Sequence, residues 1–193
     1  NPDDEDAPTT QSDVRAIRDA AARDASDTEE GTRDDIALPF DPIEARATQI
    51  LEDVDVDAPA DESREDQTRR RIAALLERAL AWNDAGDTER AVCAADLALS
   101  EDPNSALGQK LITRHREAIM SVFAGYIGDL DRMPQLARPL HELQDAPIST
   151  RAAFLLSRID GALTVDELLD VSGMPRLEAF RHICQLYLRG ILR

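Results

Sequence analysis

Ala81-Trp-Asn-Asp-Ala-Gly-Asp-Thr-Glu-Arg-Ala-Val-Cys-Ala-Ala-Asp-Leu-Ala-Leu-Ser-Glu-Asp-Pro103 decides the fold of this chain. Asp84-Ala85-Gly86-Asp87 is a turn, with Gly86 as its left-handed stop. Asp87 or Thr88 caps a helix running to about Ser100, with Ala91, Val92, Ala94, Ala95, Ala98 and Leu99 on its face. Small side chains let this helix approach the preceding one closely, as an antiparallel hairpin. Pro103 then forbids continuation. Upstream, Ile72, Leu75, Leu76, Ala79, Leu80 and Trp82 recur at helical spacing over 68–85. Downstream, a third helix is expected from about 104 to 127, carrying Leu107, Leu111, Ile112, Ile119, Val122, Phe123 and Tyr126.

Composition agrees with an all-α class. The 193 residues are 42% hydrophobic but only 4% aromatic, so a core must be built from Leu, Ile and Ala. That favours helices packed over small residues. After residue 131, Pro134 and Pro139 mark a connector or a short extended edge. Ser149 caps a helix in which Ala152, Ala153, Phe154, Leu155, Leu156 and Ile159 leave little polar surface, so it is expected to be central. Asp160-Gly161 is a turn, and Thr164-Val-Asp-Glu167 is a capping box. The short helix it opens carries Val165, Leu168, Leu169 and Val171 and ends at Ser172-Gly173. Pro175 starts a longer helix with Leu177, Ala179, Phe180, Ile183, Cys184, Tyr187 and Leu188 inward. Gly190 ends that helix, and Ile191-Leu192 begins a strand.

The charge is lopsided. Residues 1–68 hold 22 acidic and 6 basic residues, a net of −16 out of −17 for the whole chain. Three segments follow: an acidic, mostly disordered arm (1–68), a helical unit (69–131) and a C-terminal helical module (132–193). Within the arm, Asp41 can cap a helix at 42–54 with Pro42 in its first turn. Ile43, Ala47, Ile50, Leu51 and Val54 share one face of it, and Leu38 and Phe40 can staple its start. Such a helix either docks in a partner's groove or packs back on its own body. Arg69-Arg70-Arg71 is expected to pair with the acidic arm or to form a solvated helix start rather than to bind nucleic acid. A start at Asn1-Pro2 without Met leads us to expect a fragment, with a further domain upstream.

Two resemblances follow from these residues. Residues 72–105 resemble one tetratricopeptide repeat: Leu75, Ala79, Trp82, Gly86-Asp87, Ala91, Ala98 and Pro103 fall at its large, small, turn and Pro positions. Ala95 departs from the pattern, standing where the family has a bulky aromatic. One repeat cannot bury itself, so the following helix, the C-terminal module or a second subunit must complete it. The resemblance implies a peptide-facing surface on the first helix, with Arg71, Arg78 and Asn83 as its polar residues. Residues 148–192 resemble a winged-helix-like, helix-turn-helix-type module of bacterial regulatory and peptide-carrier proteins, without a wing.

The reading is therefore a non-catalytic protein–protein interaction or adaptor module of a bacterial regulatory or assembly protein. It would bind a protein partner through its helical surfaces and the 42–54 helix. One alternative is a transcriptional regulator fragment that reads DNA with Arg176, Arg181, Gln185 and Arg189 of the last helix. Residues 151–193 have six Arg and five acidic residues, which falls short of a basic footprint and argues against nucleic acid. Another alternative is a structural subunit that self-associates to complete the repeat. Twenty-one Arg against the single Lys110 points to a GC-rich bacterial genome. Cys93 and Cys184, each among apolar residues, are expected as free thiols in a reducing cytoplasm. No signal peptide or membrane-length apolar run is present, so no membrane insertion is expected. His115, His141 and His182 lie far apart, and no spacing singles out a catalytic, cofactor-binding or metal-binding residue.

Overall fold

In the computed structural model, the structure describes residues 41–56, 59, 61–143 and 146–193. The readings of residues 1–40, including Leu38 and Phe40, lie outside the described residues. Those residues form an all-helical fold: α1 (Pro42–Asp55), α2 (Arg64–Asp84), α3 (Thr88–Ser100), α4 (Ala106–Arg114), α5 (Arg116–Ile127), α6 (Thr150–Leu156), α7 (Val165–Val171) and α8 (Arg176–Leu188). One 3-10 turn covers Leu140–Leu143, which sequence reasoning did not anticipate.

The caps follow side-chain chemistry. Asp41 accepts a hydrogen bond from the Ile43 N–H at 3.0 Å, with Pro42 in the first turn of α1. Ser63 caps α2, its hydroxyl accepting from the Asp66 N–H, so the helix starts at Arg64, four residues before the expected 68. Asp87 caps α3, Ser105 caps α4, and Ser149 caps α6. The Thr164–Glu167 capping box opens α7. Two further N-terminal donors of α7, Val165 and Asp166, reach the carbonyls of Arg132 and Leu130 at 3.0 Å.

Gly86 has φ +83°, and the turn around it closes both bonds of a Schellman motif. Asp87 N–H reaches the Trp82 carbonyl at 2.9 Å, and Gly86 N–H reaches Asn83 at 3.1 Å. The chain therefore folds straight back, and α3 lies antiparallel along α2. α3 is the centre of the molecule: α1, α2, α5 and α8 all pack on it. Ala91, Val92, Cys93, Ala94, Ala95 and Ala98 are all buried, so its small residues serve every side rather than the one face the sequence suggested.

The single helix expected at 104–127 is broken at His115 (φ −99°, ψ 10°). The break adds packing partners: α4 lies on α2, whereas α5 keeps contact with α2 and also lies on α3 and α8. A straight rod could not follow both. The approach of α4 is close, because a Cβ on Gly108 would stand 2.8 Å from Ile72 Cδ1. In the C-terminal module, α6 is less central than its composition implied. Ala152, Leu155 and Leu156 are buried, but Phe154 is 39% exposed, with the Arg158 guanidinium 5.0 Å from its ring centre. The Pro-rich connector supplies the extended edge. Gln135 and Arg193 exchange backbone hydrogen bonds at 3.0 and 3.2 Å, and the Ala137 N–H donates to Ile191 at 2.8 Å. The described residues contain only this isolated bridge, Leu136 to Leu192, and no longer strand.

Gly86→Ala should lower stability by about 1–2 kcal/mol, because φ is positive there and no side-chain contact is gained. Thermal denaturation followed by circular dichroism should show a midpoint lower by roughly 3–6 °C. Asn at the same position should cost less.

Candidate interaction surface

Of the sequence-predicted partner-binding residues, Ile43, Ile50, Leu51, Arg71 and Arg78 lie where α1 meets the rest of the fold. α1 packs on α3, with further contacts to α2 and α8, burying Ile43, Ile50 and Val54; Leu51 is half-buried against the same core. Of the two seats open to this helix, the folded chain uses its own body. Ion pairs fix it along its length. Asp41 accepts from Arg189 Nη2 at 2.7 Å, and Arg46 pairs with Glu89. Arg78 donates to the Asp53 carbonyl at 2.8 Å. Asp55 takes both Arg70, at 3.1 Å, and Arg71. The basic run of α2 thus pairs with the arm, as its composition implied; Arg70 also holds Glu62, and Arg71 holds Glu101. Arg71 and Arg78, expected to face a peptide, face α1 instead. Asn83 is half-buried, with Oδ1 3.3 Å from where a Cβ on Gly125 would lie.

The four residues assigned to DNA reading are not an outward face. Arg181 Nε and Gln185 Nε2 both donate to Asp96 Oδ1, the latter at 2.8 Å, and Arg181 also holds Ser100. Asp96 is buried at 7% exposure in the middle of α3. A buried carboxylate needs donors, so α8 turns this face inward. Arg189 holds Asp41, and Arg176 holds Asp166 and Asp170. Asp96 was missed in the sequence, although one acidic residue inside Ala91-Val-Cys-Ala-Ala-Asp-Leu-Ala-Leu99 is the signal that should have marked it.

The arrangement leaves an open cleft of about 560 Å³ where the hairpin meets the C-terminal module. Leu99, Ile112 and Leu177 give it apolar walls, and Pro103 and Pro175 also line it. Arg116, Arg151 and Arg181 bring three guanidinium groups to it against one carboxylate, Glu178. Arg151 pairs with Glu178, whereas Arg116 is exposed and makes no ion pair among the described residues. Of these residues only Arg181 was a candidate site residue in the sequence, because the cleft draws on α3, α4, α5, α6 and α8 together.

The remaining reactive groups are enclosed. Cys93 and Cys184 are buried and free, and burial pushes the Cys93 thiol up to about 11 and Cys184 well above its ordinary value. Burial pushes His182 below its ordinary value of 6.5, so its ring, near Glu178 and Gln185, is neutral at pH 7. Among the described residues, no group of three His, Cys, Asp or Glu could hold a metal ion. No helix among them is long and apolar enough to cross a membrane.

The Arg71 side chain holds the Asp55 carboxyl below its ordinary value of 3.8, with Arg70 adding to the effect. Its contribution is complete above that value and is lost as the pH falls below it. Asp55→Asn should therefore cost about 1–2 kcal/mol at pH 7 and little in acid. Hydrogen exchange at pH 7 should show faster amide exchange in α1, with α3 unchanged. No protein-family model, curated protein or solved structure matches this chain.

Proposed function

We propose that the chain is a non-catalytic protein-binding module, an adaptor of a bacterial regulatory or assembly protein, whose partner docks where the hairpin meets the C-terminal module. The observation that carries this reading is the open cleft there, with apolar walls and an arginine rim. Its volume lies within the roughly 300–1,000 Å³ of ordinary ligand sites. The resemblance of residues 72–105 to a tetratricopeptide repeat supports a recognition role, and the winged-helix-like pattern of 148–192 supports a regulatory setting. Both thiols are held protonated by burial, which suits a scaffold better than a nucleophile. A DNA-reading role has less support, since Arg176, Arg181 and Arg189 are each paired with carboxylates of the same chain. The free thiols suit a reducing cytoplasm.

The test places a photo-crosslinking benzoylphenylalanine at Thr113, an exposed residue lining the cleft, in extracts of the source cell. A control carries it at Ala85, an exposed residue in the turn between α2 and α3 that does not line the cleft. Discrete protein adducts from Thr113 alone are expected. Equal labelling at both positions, no adduct, or a nuclease-sensitive adduct overturns the proposal.

A further inference from the structure

We infer that the cleft at the α4–α8 junction takes a short acidic segment of a partner protein, with an apolar side chain set between its carboxylates. This rests on the reading of the cleft as a protein-binding surface and adds the chemistry of what binds there.

The charge of the cleft runs against that of the chain. The molecule carries −17 overall, yet three arginines face one carboxylate in this cleft. Two of these arginines are paired within the chain, Arg151 with Glu178 and Arg181 with buried Asp96, which leaves Arg116 as the cation without an ion pair among the described residues. Arg181 is pinned before any ligand arrives: Asp96 takes its Nε and Ser100 takes its Nη2, while Nη1 makes no hydrogen bond among the described residues. Its side chain is 25% exposed, so those free donors sit at a fixed place on the cleft wall. A donor held in place loses little rotamer freedom on binding. Guanidinium groups match carboxylates in a planar, two-bond geometry. Arg116 adds a second cation from α5, exposed and without an ion pair among the described residues.

The apolar part sets the rest of the ligand. Leu99, Ile112 and Leu177 line the same cleft as half-buried or buried carbon surface, which asks for a Leu, Ile or Phe side chain. Gln109 is exposed at the cleft, where its side-chain carbonyl can accept from a peptide N–H. Its amide nitrogen is already spent on the Pro103 carbonyl at 3.3 Å.

A long polyanion fits less well than a short acidic peptide. The negative field of the whole chain repels nucleic acid at a distance. Two or three carboxylates need only the local field, within a screening length of about 8–10 Å.

The test displays random seven-residue peptides to the full chain and reads the charge of the enriched set. The expected set is acidic, with an apolar residue between Asp or Glu residues. Synthetic versions of the best sequences should bind at least tenfold more weakly to Arg116→Glu and to Arg116→Glu/Arg151→Glu, in fluorescence anisotropy. The single variant keeps the test valid if the double one fails to give the native circular dichroism spectrum. Added salt should weaken binding, and Gln-for-Glu, Asn-for-Asp peptides should bind at least tenfold more weakly. No enrichment, or acidic peptides bound equally by both variants, overturns the inference. Neutral or basic peptides that still compete with crosslinking at Thr113 overturn the acidic ligand but leave the protein-binding reading standing. Concentration-dependent self-association abolished by Arg116→Glu would identify the occupant as a second copy and overturn a foreign partner.

Discussion

α3 sets the terms for the rest of the molecule. Four helices pack around a rod whose buried side chains are mostly alanine, and only such a rod lets four neighbours approach at once. A helix surrounded in this way has almost no free side, so its one buried carboxylate, Asp96, must be satisfied from within the fold. Arg181 and Gln185 of α8 do this. The central packing and the orientation of the C-terminal helix are therefore one constraint: α8 is placed by apolar contact and fixed in rotation by the needs of a buried charge.

That constraint passes outward. With α8 so turned, Arg189 reaches Asp41 and anchors the start of α1. At the other end, Asp53 and Asp55 meet Arg78, Arg70 and Arg71 of α2. Three buried apolar side chains would hold a fourteen-residue helix weakly, and half-buried ion pairs add modestly to that. The acidic excess before residue 68 thus has a structural use in its last part, where it neutralises the basic run of α2. The same rotation of α8 fixes Arg181 at the edge of a cleft, facing Arg116 and Arg151. A buried structural contact on one side of the guanidinium prepares a recognition contact on the other.

Much of the local structure was legible because local rules govern it. Asp41, Asp87, Ser149 and the Thr164–Glu167 box all cap the helices they were expected to cap, since a side-chain oxygen two or three residues from an orphan N–H needs no tertiary help. Other features were not legible. The break at His115 goes with the added packing of α5 on α3 and α8, and nothing in Thr-Arg-His-Arg announces it. Phe154 stays partly exposed because it lies off the face of α6 that Ala152, Leu155 and Leu156 bury. The cleft was beyond reach, because its residues come from five helices spread over most of the folded chain.

The helical class, the hairpin turn at Gly86, several of the caps and the division of charge were legible in the residues alone. Each is a matter of spacing or conformation within a few residues. Only the tertiary structure decided which faces meet. An arginine on a helix can face a phosphate, a partner's carboxylate or a carboxylate of its own chain with the same local pattern. Here Asp96, Asp41 and Asp55 claimed Arg181, Arg189 and Arg71, because a carboxylate removed from water must find its donors wherever the packing brings them.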